Sequence, residues 1–568
     1  MMAVLLHLPA IGAPLMTDDY EQSAMVAGTF PVPRGPFDLY DWVGDATRAT
    51  LVERGVLPWW THPRLKARFL RPLSSALLWA DYRAFGRWPL PGHLHSFAWW
   101  ALSCVAVYGL IRRTLGGRAA VVGGAIFALA PCHVSSLVWL ANREVLVSTA
   151  LGALALGAYA RWRDDTRARD AWSSAVLFTL ALLSGEYALC FSGYVIAIDL
   201  VRRGESARQR LARVLPFVLP AVSYLTARAL LGYGVYGSDF YRDPFRQAGA
   251  FFAGAPSRLE TLLADAWLTT DDAFWRGAPA WLFLLVAVAT APVLLVAVRH
   301  AIGSLAPRER QGAMWLLYGS CLSLSPLLAV RALERLIAPA MIGVCAVLGV
   351  VIAHAASLAR ARDARTQPVG LAAAATVFAG TLLAFAHLVR SPFLTWFSAR
   401  EPCEIEAIAE QRMEGIRAHV RDAPSKHILI VRAQWGQPLL GGVFMVDPDR
   451  GVPPASWRVL TWGMEPSRML RTGPRAIDVV AITPAPLVRR GEENVFRSDD
   501  APLRSGDAEA VDGMRVTVID ADERGLRRLR FEFDRDLDDP SFVWLFEATG
   551  GFSEARPPEA GGERILPL

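Results

Sequence analysis

The chain has 568 residues, 53% of them hydrophobic, and a formal net charge of +6. Lysine occurs only at Lys66 and Lys426, and the arginines that carry the charge form no basic stripe interleaved with aromatics, which excludes a nucleic-acid surface. The six cysteines, Cys104, Cys132, Cys190, Cys321, Cys345 and Cys403, show no C-x-x-C spacing, and only Cys403 lies beyond the apolar runs, so the tail holds no internal disulfide.

The mean hydropathy of +0.29 conceals two regimes. Residues 1 to 392 repeat long apolar runs, and 393–568 are mixed and charged like a soluble domain. The first run, residues 1–16, is short for a span and lacks the basic start of a cleavable signal peptide. Thr17-Asp18-Asp19-Tyr20 follows it directly and opens the loop 17–91, rich in Pro, Trp and charge. Ionisable groups at a membrane boundary are costly unless solvated or used. Later apolar runs lie near 92–111, 119–138, 145–160, 172–185, 187–201, 214–231, 280–298, 312–330, 337–358 and 369–389. With the first, these predict about eleven spans of an all-α polytopic bundle. A second long loop, 232–279, carries Asp239, Asp243, Asp265, Asp271 and Asp272, which read as solvated acids.

Alternate short loops are rich in Arg: Arg112, Arg113 and Arg118; Arg161, Arg163, Arg167 and Arg169; Arg202, Arg203, Arg208, Arg210 and Arg213; Arg299, Arg308 and Arg310; Arg360, Arg362 and Arg365. The opposite loops carry only Arg143, Arg331 and Arg335. By the positive-inside rule the N-terminus is cytoplasmic, and loops 17–91 and 232–279 and the tail are periplasmic, on an inner-membrane multi-pass protein. Alkaline phosphatase fused after residue 395 is therefore expected to be active, and a fusion within 202–213 inactive. The reverse pattern would put the aspartate pair in the cytoplasm. Trp42, Trp59, Trp60 and Trp79 in the first loop read as interfacial anchors, or else as a stacking surface for a ligand. Arg228, near the outer end of its span, reads as a snorkelling side chain.

The tail opens with an amphipathic helix over 403–420, with Ile405, Ile408, Ile416 and Val420 on one side. Strand patterns follow at 427–432, 477–482, 515–519 and 528–533, predicting a soluble α/β or α+β domain. It holds no nucleotide loop, nucleophile elbow or metal spacing. It is expected to bind or orient an acceptor, with the membrane domain folding without it.

Five segments resemble the GT-C superfamily of polyprenyl-phosphate-dependent glycosyltransferases, most closely the branch of protein O-mannosyltransferases. They are the pair Asp18-Asp19 after the first span; Leu70-Arg71-Pro72-Leu73; Pro131, His133, Val134, Trp139 and Arg143; Ser184 and Glu186 in 182–191; and Glu334, Arg335 and Pro339 in 331–340. Departures from the family pattern stand at Ala130, Ser135 and Gly185, in the displaced acid Glu144, and in two missing tyrosines of the last segment.

The resemblance implies transfer of a sugar from a polyprenyl-phosphate donor to a protein, lipid or glycan acceptor outside the cytoplasm, with inversion. An attacking hydroxyl needs a base, and the resemblance assigns Asp18 or Asp19. A phosphate leaving group needs cations, for which Arg335, Arg143 and Arg71 are the candidates. His133, Glu186 and Glu334 would support them. An ion pair that holds helix ends together is the competing reading for each Arg. The cofactor is open, a divalent metal being compatible and no metal ligand set evident. Two other classes remain: a transporter or assembly component for envelope glycans, for which midmembrane charges and internal repeats would be expected, and a degenerate scaffold.

Overall fold

The computed structural model describes residues 2–202, 204–244, 247–270, 279–363, 370–419, 423–434, 436, 438–439, 441–445, 454–491, 494–548 and 551–567. Arg203, Asp271, Asp272, Arg365 and Val420, and the side chains of Arg362 and Cys403, lie outside this set.

Six helices among the described residues are long and apolar enough to cross a membrane: Pro89–Leu115, Leu140–Asp165, Leu284–Gly303, Pro307–Ala329, Glu334–Ala361 and Leu371–Glu401. A bent pair, Gly117–Leu129 and Pro131–Val138, makes a seventh if it is one span. Its 48° bend falls at Pro131, which has no N–H to continue a helix. The chain is thus a multi-pass membrane protein with six or seven such helices among its described residues, where apolar runs lead one to expect about eleven spans. The difference has local causes. Helices Ala168–Ser184 and Phe191–Val201 have only 17 and 11 residues, short of the roughly 20 a span needs. Helix Ala207–Leu230 is longer, but Arg208, Arg210 and Arg213 charge its first turns and Arg228 its last.

The helix Glu334–Ala361 is the axis of the bundle, with 89% of its apolar window buried. Its neighbours come close at glycines. A methyl on Gly343 would stand 2.0 Å from the Leu316 carbonyl oxygen, and one on Gly349 2.4 Å from that of Ala119. Small residues let helix backbones meet where hydrocarbon supplies no hydrophobic drive.

Above the bundle, both long loops join one three-stranded antiparallel sheet: Asp41–Val43, Lys66–Arg68 and Gly234–Tyr236. Arg68 clasps Asp41 at 2.8 Å across the first pair. The last span runs through a π-turn, Ala386–Arg390, into the helix Ser391–His419 that leads to the tail. The tail is β-rich, with a seven-stranded antiparallel sheet and a four-stranded sheet. In the smaller sheet His427–Ile430 runs parallel to both its neighbours, Ser456–Val459 and Phe542–Ala548. The strands expected from alternation appear as His427–Ile430, Ala476–Ala481, Met514–Asp522 and Gly525–Phe533.

The first loop and the tail share one hydrophobic core. Trp59 and Trp60 are 3% and 0% exposed, sealed between the two instead of lying on the bilayer. The Trp59 indole donates to the Leu460 carbonyl at 3.0 Å. Arg458 donates to the carbonyls of Val52 and Glu53, and Arg497 to those of Trp60 and Thr61. A cut near residue 400 would strip this loop of its packing partner, so the tail is structurally continuous with the loop that carries Asp18.

Candidate functional site

Where the sheet meets the bundle, a cavity of about 380 Å³ opens. Its charged walls include Asp18, Arg71, Glu144, Glu186, Arg228 and Arg335, and its aromatic walls Tyr40, Trp42, Phe69, Trp139, Tyr187 and Tyr241. A wider apolar groove of about 610 Å³ runs between helices Ala168–Ser184 and Ala207–Leu230 and meets the cavity at Tyr224.

The aspartate pair is divided by its helix. Thr17–Ala27 is helical from its first residue, and successive side chains on a helix point about 100° apart. Asp18 faces the cavity. Removal from water raises its pKa from 3.8 to about 6, against the pull of the nearby Arg335 charge. Asp19 is fully buried. Its carboxylate accepts the backbone N–H groups of Met16 at 2.9 Å, Ala141 at 2.7 Å and Leu140 at 3.4 Å. Asp19 therefore caps its own helix and fastens it to the turn before helix Arg143–Asp165.

The three arginines also separate. Arg71, 8% exposed, donates to Glu144 at 3.0 Å and through two nitrogens to Glu186 at 2.9 and 2.6 Å. Its guanidinium also lies over the rings of Tyr40, Phe69 and Tyr187. Two carboxylates thus neutralise it. Arg143 is not a wall of the cavity. It is 1% exposed and turns to Ser96 Oγ at 2.9 Å, the Gly92 carbonyl at 2.7 Å and the Asp81 carboxylate. Arg335 is different. Its charge sits 5.3 Å from the centre of the Trp139 ring, and its buried Nε has no hydrogen-bond partner among the described residues.

Of the supporting residues, Glu186 reaches the cavity and holds Arg71. His133 is buried elsewhere, bonded to the Phe127 carbonyl at 2.9 Å and packed on the Phe127 ring. Glu334 opens the 3₁₀ turn Glu334–Ile337 and is not a cavity wall. Arg228 and the tyrosines Tyr40, Tyr187 and Tyr241 join the site without having been singled out from sequence for it. Only Tyr187 carried a signal, its place beside Glu186. Among the described residues no three His, Cys, Asp or Glu side chains gather as a metal site. The cavity offers a carboxylate, Asp18, whose pKa burial raises to about 6, cations for an anionic group, and aromatic faces suited to a sugar ring.

No protein-family model matches the sequence. No curated protein matches it. Among solved structures, the chain is similar to the oligosaccharyltransferase of Archaeoglobus fulgidus in its apo form, at 12% identity and a TM-score of 0.44, over 80% of this chain. It spans 64% of that protein's length. It is also similar to ArnT from Cupriavidus metallidurans bound to undecaprenyl phosphate, at 12% identity and a TM-score of 0.41, over 80% of this chain and 88% of that one. For ArnT in the apo state the figures are 15%, 0.36, 74% and 86%. All three are partial likenesses at low identity, and the functional reading stands on this chain's own residues.

Proposed function

We propose that the chain is a GT-C-type glycosyltransferase of the inner membrane that moves a sugar from a polyprenyl-phosphate donor to an acceptor hydroxyl at the periplasmic face. The observation that carries this is the meeting of Asp18 and Arg335 in one cavity at the end of the bundle. Asp18 takes the proton of the acceptor hydroxyl as its oxygen attacks the anomeric carbon. The bond to the donor phosphate breaks, and Arg335 holds the charge left on the phosphate oxygens. One displacement inverts the anomeric centre. Arg71, saturated by Glu144 and Glu186, shapes the floor of the site and does not compete for phosphate. Arg143 and Asp19 hold the 139–143 turn and the Asp18 helix in place.

The direct test is consumption of lipid-linked sugars by the purified full-length protein, with a panel of carriers and sugars. Time-dependent loss of at least one donor, with release of polyprenyl phosphate, is expected. A folded protein inert toward the whole panel would remove the enzyme reading and leave the transporter or scaffold.

A further inference from the structure

Helix Thr17–Ala27 presents Asp18 to the cavity, and the tail lies against its other side. From Glu21 to Val26 every residue of this helix is buried. Part of that cover is a short tail segment, Gly441 and the helical turn Gly442–Met445. The two come close at Gly441. Its φ is +83°, and a methyl group there would stand 2.7 Å from the Thr17 carbonyl oxygen. Glycine alone satisfies both conditions. Its N–H lies within reach of the Glu21 carboxyl group one turn further along the helix. Thr17, the residue gripped, has a φ of +20°, an unusual value for a β-branched side chain. Such a conformation persists where its surroundings over-determine it, and Gly441 is one of those surroundings.

Further contacts fix the segment itself. Phe444 packs on Phe30, ring centres 5.7 Å apart. Arg87 bridges the Phe444 carbonyl at 3.4 Å and the Ser23 hydroxyl at 3.2 Å. Arg417, on the helix descending from the last span, donates to the Met445 carbonyl at 2.8 Å. On the opposite side, Asp19 ties the same helix to the backbone at 140–141.

We infer that the Gly441–Met445 segment of the tail is a positioning element for Asp18, with Gly441 and Glu21 as the positioning residues that set the carboxylate against Arg335. The inference rests on the glycosyltransferase reading and gives the tail a part in the chemical step. Neither residue touches substrate. Both act through the start of the helix, where a displacement of an ångström is carried directly to Asp18.

The test uses the full chain. Gly441→Ala is expected to lower kcat by roughly ten- to a hundredfold, the scale of a small misplacement of a reacting group. Binding of polyprenyl phosphate alone should change by less than about twofold, because Arg335 is untouched. Hydrogen exchange at the amides following Asp18 should speed up whatever the reaction proves to be. Glu21→Gln keeps an oxygen for the Gly441 N–H and should retain most of kcat, whereas Glu21→Ala should not. Phe444→Leu provides the milder variant should Gly441→Ala fail to fold, with the same pattern at smaller amplitude. Unchanged exchange and kcat in folded Gly441→Ala or Phe444→Leu would overturn the inference, as would equal losses in Glu21→Gln and Glu21→Ala. A wild-type protein inert toward every donor would instead sink the glycosyltransferase reading and this inference with it, a distinct result.

Discussion

Asp18→Asn is expected to lower transfer by about a hundred- to ten-thousandfold, the range for loss of a general base, with the protein folded and the carrier phosphate still bound. Asparagine keeps the shape of the side chain, and among the described residues no hydrogen bond holds the Asp18 carboxylate, so little structure is at stake. The same change at Asp19 should behave oppositely. Asp19→Asn would leave one oxygen where a carboxylate now receives three backbone donors, and an amide in their midst costs about 1–3 kcal/mol of stability. The two variants, measured side by side for turnover and thermal unfolding, separate base from cap. The pH profile adds a check. Asp18 must be ionised to accept a proton, and burial lifts its pKa to about 6. Turnover should therefore fall as pH drops through 6 and level off above it. Full activity in folded Asp18→Asn would end its role as base.

The aspartate pair also shows how far the sequence could be read. It pointed to a turn of chain that reaches the cavity, because carboxylates directly after an apolar run are rare without use. It could not divide the labour between Asp18 and Asp19, which depends on what packs 100° apart around one helix. The arginines repeat the lesson. Arg143 and Arg335 carry the same signal, a cation on the side the positive-inside rule disfavours. One meets Asp81 and Ser96, the other faces the cavity. The pairing of Arg71 with Glu186 joins residues 115 apart, and no local pattern encodes it. Tail strands were legible through their period of two. The bond from Trp59 to Leu460 crosses 401 positions, so the shared core was not, and tryptophans that look like membrane anchors became its centre. The number of spans was less legible, because a short apolar helix such as Phe191–Val201, of 11 residues, reads in sequence like a piece of a membrane helix.

Arg335 supplies the second large effect. Arg335→Ala is expected to weaken binding of polyprenyl phosphate by roughly ten- to a hundredfold, the worth of hydrogen bonds to a charged group, and to lower transfer at least as far. Arg335→Lys should fall between Ala and wild type, since lysine restores the charge but not the two parallel N–H donors of the guanidinium. The alternative of a structural ion pair predicts a loss of thermal stability in Arg335→Ala, recovered when its acid partner is also removed. The structure shows no ion pair to Arg335 among the described residues; its guanidinium lies over Trp139, and its charge reaches the Asp18 and Glu144 carboxyl groups through space. A further readout separates the clamp from a general loss of packing. The Arg335 charge opposes the rise in the Asp18 pKa. Without it Asp18 holds its proton to higher pH, so the acid limb of the Arg335→Ala profile should move upward, and that of Arg335→Lys should stay close to wild type. Arg71→Ala serves as contrast. It frees Glu144 and Glu186 in a buried place, and should cost stability more than carrier affinity. If stable Arg335→Ala protein binds carrier phosphate as wild type does, with its acid limb unmoved, then Arg335 is no clamp. The phosphate then belongs to Arg228, a cationic wall of the same cavity whose side chain is only half-buried.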